Sequence, residues 1–292
     1  MELRVLRYFL TVASEESITN AANILHITQP TLSRQLMQLE EELGVQLFIR
    51  GKKSITLTEA GMLLRSRAEE IINLTDRTEK EFLEQSDFVS GEIFIGAGET
   101  NGMRELAKII KSFNKQYPQV KYNLHSGNAD DIKEKIDKGL IDIGLLTEPV
   151  DIGKYDFVRL KEKDNWGVVI RKDDPLANKE YITPEDLKDK PIVCSKRVSI
   201  QNELANWFGN NFDSDNIIAT FNLINNAIAI VESEIGYAIC LESLVNDRRG
   251  ICFKEFYPRL ETGSVLVWKK NQVFSTATRK FIDEIKRNND DN

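Results

Sequence analysis

The sequence predicts an α+β multidomain chain: an N-terminal winged helix-turn-helix, a long linker helix, then an α/β half. Three observations predict it. Residues 17–61 hold two capped helical patterns around a tight turn, followed by an apolar run and a basic hairpin. Residues 58–86 hold no proline, and no glycine after Gly61. From residue 91 onward, apolar strand-like runs alternate with helical ones, a βαβ rhythm that implies a parallel sheet.

The 292 residues suit about two domains, and the 41% hydrophobic share supports proper cores. No apolar run approaches the roughly 18 residues of a membrane span. The first ten residues lack a long apolar core or a small-residue cleavage site, so no signal peptide is expected. Cys194, Cys240 and Cys252 are odd in number and lack CxxC spacing, which fits a reduced, cytoplasmic protein. The net charge of −7 counts against a generic nucleic-acid binder. Even residues 1–58 balance: Arg4, Arg7, Arg34, Arg50, Lys52 and Lys53 face Glu2, Glu15, Glu16, Glu40, Glu41 and Glu42. Four of the six cations lie on the helix that opens at Thr28 and on the hairpin, so positive charge is placed rather than abundant.

Leu3, Leu6, Phe9, Leu10 and Ala13 recur at helical spacing and predict a supporting helix. Ser17 is a good N-cap for the next one. Ala21 and Ala22 are small enough for helices to cross closely, and Ile24, Leu25 and Ile27 should close a small core. Thr28 can cap the third helix, whose first turn suits Pro30. Leu32, Leu36, Leu39 and Leu43 step by four, three and four and should face inward. That leaves Pro30, Arg34 and Met37 outward, flanked by Gln29, Ser33 and Gln38. Such a helix end enters the major groove of double-stranded DNA in this motif. Arg34 can fork onto guanine, and Gln29 or Gln38 can pair with adenine. Thr31 and Ser33 suit phosphate oxygens. The bland alternative is an amphipathic helix with a solvated polar face; cap, turn and basic hairpin together favour DNA.

Three blocks then resemble the N-terminal winged helix of LysR-type transcriptional regulators. They are S-I-T-N-A-A at 17–22, Q-P-x-x-S-R-x-x-x-x-L-E-x-x-L-G-x-x-L-F-x-R from Gln29 to Arg50, and L-T-E-A-G at 57–61. Lys53 stands where members often carry Arg. The hairpin Arg50, Lys52 and Lys53 should grip the DNA backbone or an adjacent minor groove.

Thr58 caps the long linker helix. Leu64, Ala68, Ile71, Thr75, Thr78 and Phe82 step by four and three, the spacing of a coiled-coil seam. One alternative is a helix buried against its own domain. The resemblance implies a dimerisation helix, which would set two DNA-binding units roughly 34 Å apart.

Beyond residue 90, strands are expected at 93–97, 120–126, 141–146, 166–170, 191–195, 217–221, 237–241 and 265–268, with a last helix at 274–287. This half resembles the family's type II periplasmic-binding-protein-like pair of α/β lobes. F-N-K-Q-Y-P at 113–118 fits its F-x-x-x-Y-P, and Asp142 comes after Gly139 as in its G-x-x-D. Residues 231–238 fit V-x-x-G-x-G, but Glu234 replaces the first glycine. The expected domains are 1–58, 59–90 and 91–292, with lobe I about 91–161 and 267–292, and lobe II about 162–266.

Ligands of open α/β sheets bind at the carboxyl ends of strands, beside helix N-termini. That rule gathers Gly98, Glu99, Thr100, Asn101, Ser126, Gly127, Asn128, Leu146, Thr147, Cys194, Ser195 and Lys196, with Phe221 and Asn222 on the far wall. Hydroxyls, amides and helix N–H groups suit a small anionic or zwitterionic effector. Lys196 and Arg197 add positive charge, and Glu99 could pair with an amine. Each residue alone also reads as a cap or turn.

Catalysis finds no support: no P-loop, HExxH or Ser/His/Asp arrangement is present. His26 is expected to be structural, and His125 sits in a strand. Cys194 near Lys196 and Arg197 could be redox-sensitive, though a buried structural thiol is the stronger reading. The expectation is a regulator without catalytic residues, cofactor, metal site or membrane partner. It pairs as a dimer or tetramer on DNA, and RNA polymerase is admitted as a further partner. Two rivals are a C-terminal half that only oligomerises and a solute-binding or enzymatic bilobed protein.

Overall fold

The computed structural model describes residues 1–51, 55–83, 89–211, 213–245 and 250–290. It divides into two compact units, residues 1–85 and 86–292.

The first unit runs α1 (Leu3–Glu15), α2 (Ile18–Ile24), α3 (Gln29–Leu43), β1 (Phe48–Arg50), β2 (Ile55–Leu57) and α4 (Glu59–Leu83). The strands pair antiparallel, with Phe48 opposite Leu57. Leu6, Phe9, Val12, Ala21, Ala22, Leu32, Leu36 and Leu39 form its core. The expected inward set needs three corrections. Leu3, Ile24 and Leu43 are exposed, and Val5 and Val12 fill the core instead. Residues 41–46 are all exposed, so α3 outruns the core that Leu39 still reaches.

Polar groups fix the joints. Ser17 Oγ accepts from Asn20 N and caps α2. Thr28 occupies the α3 N-cap, but its hydroxyl pairs with that of Thr31 at 2.8 Å instead of capping a backbone N–H. Gly44, at φ +68°, ends α3 in the left-handed conformation glycine adopts without a Cβ penalty. The carboxylate of Glu40 then accepts Leu47 N and Phe48 N at 2.7 and 3.2 Å, tying the end of α3 to the first hairpin strand. Thr58 Oγ1 accepts Gly61 N and donates to Gln46 O. A Cβ on Gly61 would lie 2.2 Å from the Leu47 carbonyl oxygen, which explains a glycine in the first turn of α4.

The expected seam on α4 is largely spent within its own unit. Ala68 and Ile72 are buried, and Leu64 and Ile71 pack on the same core. Thr75 and Thr78 donate back to the carbonyls of Ile71 and Leu74. An ion pair between Arg7 and Asp76 joins α4 to α1. Phe82 lies outside the described side chains.

The second unit runs β3 (Gly91–Ala97), α5 (Gly102–Gln116), β4 (Val120–Ser126), α6 (Ala129–Asp137), β5 (Ile143–Thr147), β6 (Tyr155–Arg171), β7 (Ile192–Ser195), α7 (Val198–Phe208), β8 (Ile217–Phe221), α8 (Ile224–Glu232), β9 (Tyr237–Leu241), β10 (Ile251–Glu255), β11 (Glu261–Lys269) and α9 (Thr276–Asp290). The strand order is β4-β3-β5-β11-β6-β9-β7-β8, with β10 also on β6. The sheet is mixed rather than parallel. Parallel pairs occur at β3–β4, β3–β5, β7–β8 and β7–β9, whereas β6, β10 and β11 pair antiparallel.

Strand β6 divides this unit into two lobes. Its residues up to Asn165 pair with β11, and from Trp166 onward it pairs with β9 and β10. Helices α5 and α9 pack on one face of the first lobe around Phe113 and Phe281, and α6 packs on the other. Helices α7 and α8 cover opposite faces of the second. Asp142 is buried and accepts Phe94 N at 2.9 Å, so the motif aspartate replaces a backbone acceptor between strands.

Candidate functional site

The exposed face of α3 carries Gln29, Pro30, Thr31, Arg34, Met37 and Gln38, with Ser33 half-buried and Thr28 exposed at the cap. Burial of Leu32, Leu36 and Leu39 on the opposite side orients that face. Arg4 and Arg7 are paired with Glu2 and Asp76. Arg34 has no such pairing among the described residues. Glu40 is engaged by backbone N–H groups, and Glu42 pairs with the N-terminal amine at 2.8 Å. The formal neutrality of residues 1–58 therefore hides an available guanidinium on the exposed face of α3. Arg50 closes β1; Lys52 and Lys53 lie outside the described residues. His26 adopts φ +54° directly after α2, in the turn between the two helices.

A second candidate site lies in the cleft between the lobes. Gly98, Glu99, Thr100, Ser126, Gly127, Asn128, Thr147, Ser195, Lys196, Phe221 and Asn222 line it together. The empty space among these residues, open solvent at the mouth included, is about 860 Å³.

Three expected members fall elsewhere. Leu146 is fully buried against α6, because alternate strand residues face opposite ways and the cleft receives Leu145 and Thr147. Cys194 is buried in the second-lobe core and does not line the cleft, and burial pushes its thiol up to about 11. That removes it from the cleft and opposes the redox reading. Asn101 turns away, with its N–H on the Asp164 carboxylate and its side-chain amide on Lys163 O.

The cleft also holds apolar residues that strand ends alone do not indicate: Leu145, Trp166, Ile200, Ile239 and Leu241, with Cys240 and Leu244 beside them. Strand parity from Thr147 would have found Leu145. Trp166 gave no such signal, because the strand crossing there comes after a charged stretch that reads as loop.

Arg197 is 7% exposed and bridges the lobes. Standing at the N-cap of α7, it donates from Nη1 to Thr147 O at 3.3 Å and from Nη2 to Pro149 O at 2.9 Å. Its Nε lies 3.8 Å from the Asp130 carboxylate. Burial lowers its pKa from the ordinary value, and Asp130 and Glu203 oppose that shift. Glu203, on α7, keeps one carboxylate oxygen buried without a partner. Burial raises its pKa, Arg197 lowers it, and Glu148 adds to the rise.

Glu234 does not line the cleft. It adopts φ +63° after α8 and pairs with Arg171, so this turn keeps the left-handed conformation of the expected glycine. Among the described residues no cluster of side chains could hold a metal ion, and no helix is long and apolar enough to cross a membrane.

Residues 3–62 match the family profile described as bacterial regulatory helix-turn-helix protein, lysR family. Residues 86–290 match the LysR substrate binding domain. The HTH-type transcriptional regulator YvbU of Bacillus subtilis (strain 168) is 28% identical over 98% of both chains. The Hca operon transcriptional activator HcaR of Escherichia coli (strain K12) is 30% identical, covering 97% of this chain and 96% of its own. The solved structure of CbnR, a LysR family transcriptional regulator, aligns with TM-score 0.77 at 21% identity over 99% of each chain. Full-length CbnR complexed with its target DNA aligns at 0.75 and 21% identity, over 98% of this chain and 99% of that one.

Proposed function

The chain belongs to the LysR family of DNA-binding transcriptional regulators with an effector-binding domain, and on that premise we propose how its own residues divide the work. The N-terminal half of α3 reads bases, with Arg34 as the guanine-directed side chain and Gln29 and Gln38 beside it. Thr28, Thr31 and Ser33 meet phosphates, as do Arg50, Lys52 and Lys53 of the hairpin. Pro30 and Met37 give that face its apolar contacts with the groove. The unpaired state of Arg34 among the described residues, in a stretch (1–58) whose formal charges balance, carries this reading.

With so few cations, one copy holds DNA weakly. The protein therefore works as a dimer or tetramer in the cytoplasm, and the outward face of α4 supports pairing. A small effector binds the interlobe cleft, and by favouring one arrangement of the lobes it changes how paired copies present their recognition helices. Only differential affinity for the two arrangements drives such a change.

Competition binding on operator and random DNA tests the base-reading role. Arg34→Ala costs about 1–3 kcal/mol on the operator and far less on random DNA. Equal losses on both would make Arg34 a phosphate contact.

A further inference from the structure

The cleft presents its buried hydrogen-bonding capacity in one sense only. Asn128 Oδ1 accepts Asp130 N and Asp131 N at 2.9 and 3.1 Å, which fixes the amide as the cap of α6. Its Nδ2 is buried and has no partner. Trp166, 5% exposed, lines the same cleft, and its indole Nε1–H is buried and also unpaired. Indole nitrogen is a donor only. Arg197 Nε is a third buried donor without a hydrogen bond, while its terminal nitrogens are held by Thr147 and Pro149, and the Thr100 hydroxyl pairs with that of Ser264 at 3.2 Å.

Asn128 belongs to the first lobe, and Trp166 to the core of the second. Leu145, Ile200 and Leu241 add apolar wall. At least one charge of each sign, Lys196 and Glu99, is exposed among the lining residues.

We propose that the effector is a small mono-acid with an apolar ring or branched body, whose oxygens accept from Trp166 Nε1 on one lobe and Asn128 Nδ2 on the other. This rests on the reading of the cleft as the effector site and names its ligand class. Buried donors left unpaired are costly, so a ligand that offers acceptors gains what an amine cannot. An amine would meet Glu99 but leave both donors unpaired. A polyol would strand hydroxyls on the apolar walls, and a second carboxylate would face Glu99. Accepting from both lobes at once, the acid holds them closed.

The test uses the full-length protein with cyclohexanecarboxylate, cyclohexanecarboxamide, cyclohexylmethylamine and succinate as probes. Affinity is read by thermal shift and calorimetry. The indole N–H resonances are read by NMR, with Trp166 assigned from Trp207→Phe and Trp268→Phe as well as from Trp166→Phe. The carboxylate binds best and moves the Trp166 indole proton downfield, and Trp166→Phe weakens it roughly tenfold or more. Stronger binding of the amine or succinate overturns the mono-acid class while leaving the cleft as an effector site. So does carboxylate binding that leaves the Trp166 resonance in place. If none of the four binds, the class is overturned. A broad metabolite library that also gives no thermal shift removes the effector reading beneath it.

Discussion

Glu203 carries a buried carboxylate oxygen without a hydrogen bond, within electrostatic reach of the guanidinium of Arg197. Burial outweighs the attraction of Arg197, so its folded pKa is raised. The unfolded chain then loses this proton at lower pH than the folded one, and stability falls as pH rises out of the ordinary glutamate range. Glu203→Gln therefore raises the melting temperature at pH 7, and the gain vanishes near pH 4, where both side chains are neutral. A lower melting temperature for the variant at pH 7 would mean that the pull of Arg197 dominates. At this scale much was legible: the outward set on α3, and eleven of the fourteen cleft residues, come from spacing and from strand ends. What failed was parity and engagement. Leu146 differs from Leu145 only in which face it meets, and Asn101 is claimed by Asp164, some sixty residues away.

Helix α4 shows how an element's pattern can serve two masters. Leu64, Ala68 and Ile71 repeat at seam spacing, yet they cover the core of their own unit, as does Ile72. Leu63 and Leu74, eleven residues and thus about three turns apart, share another face and remain exposed, with Met62 beside the first. The proposed pairing of two copies would use that face. Leu63→Glu together with Leu74→Glu converts the assembly to monomer in light scattering and lowers operator affinity by at least tenfold, while the fold persists by circular dichroism. A variant that remains dimeric would place pairing elsewhere. Periodicity alone could not separate the two faces, because a heptad stripe and an intramolecular core stripe have the same spacing. The strand crossing at β6 was illegible for a related reason. Residues 161–165, K-E-K-D-N, are mostly exposed, and only backbone pairing with β11 reveals them as strand.

For the whole molecule, the proposed mechanism makes copy number part of DNA binding, because residues 1–58 carry only six cations against six acids. In the proposed mechanism Arg197 would make lobe closure a discrete event, since opening the cleft would separate its guanidinium from Thr147 O and Pro149 O. The division into a DNA-binding unit and a bilobed half was readable from composition and motif. The mixed sheet was not, because β10 and most of β6 lack the apolar runs that marked the other strands. Footprinting of the full-length protein on DNA upstream of its own gene, with and without an acid that stabilises it thermally, tests the account most directly. Two protected half-sites on one face, roughly 34 Å apart or a multiple of that, with a spacing or extent that changes when the acid is added, is the predicted result. Protection without sequence preference, or a pattern indifferent to a ligand that occupies the cleft, would contradict it.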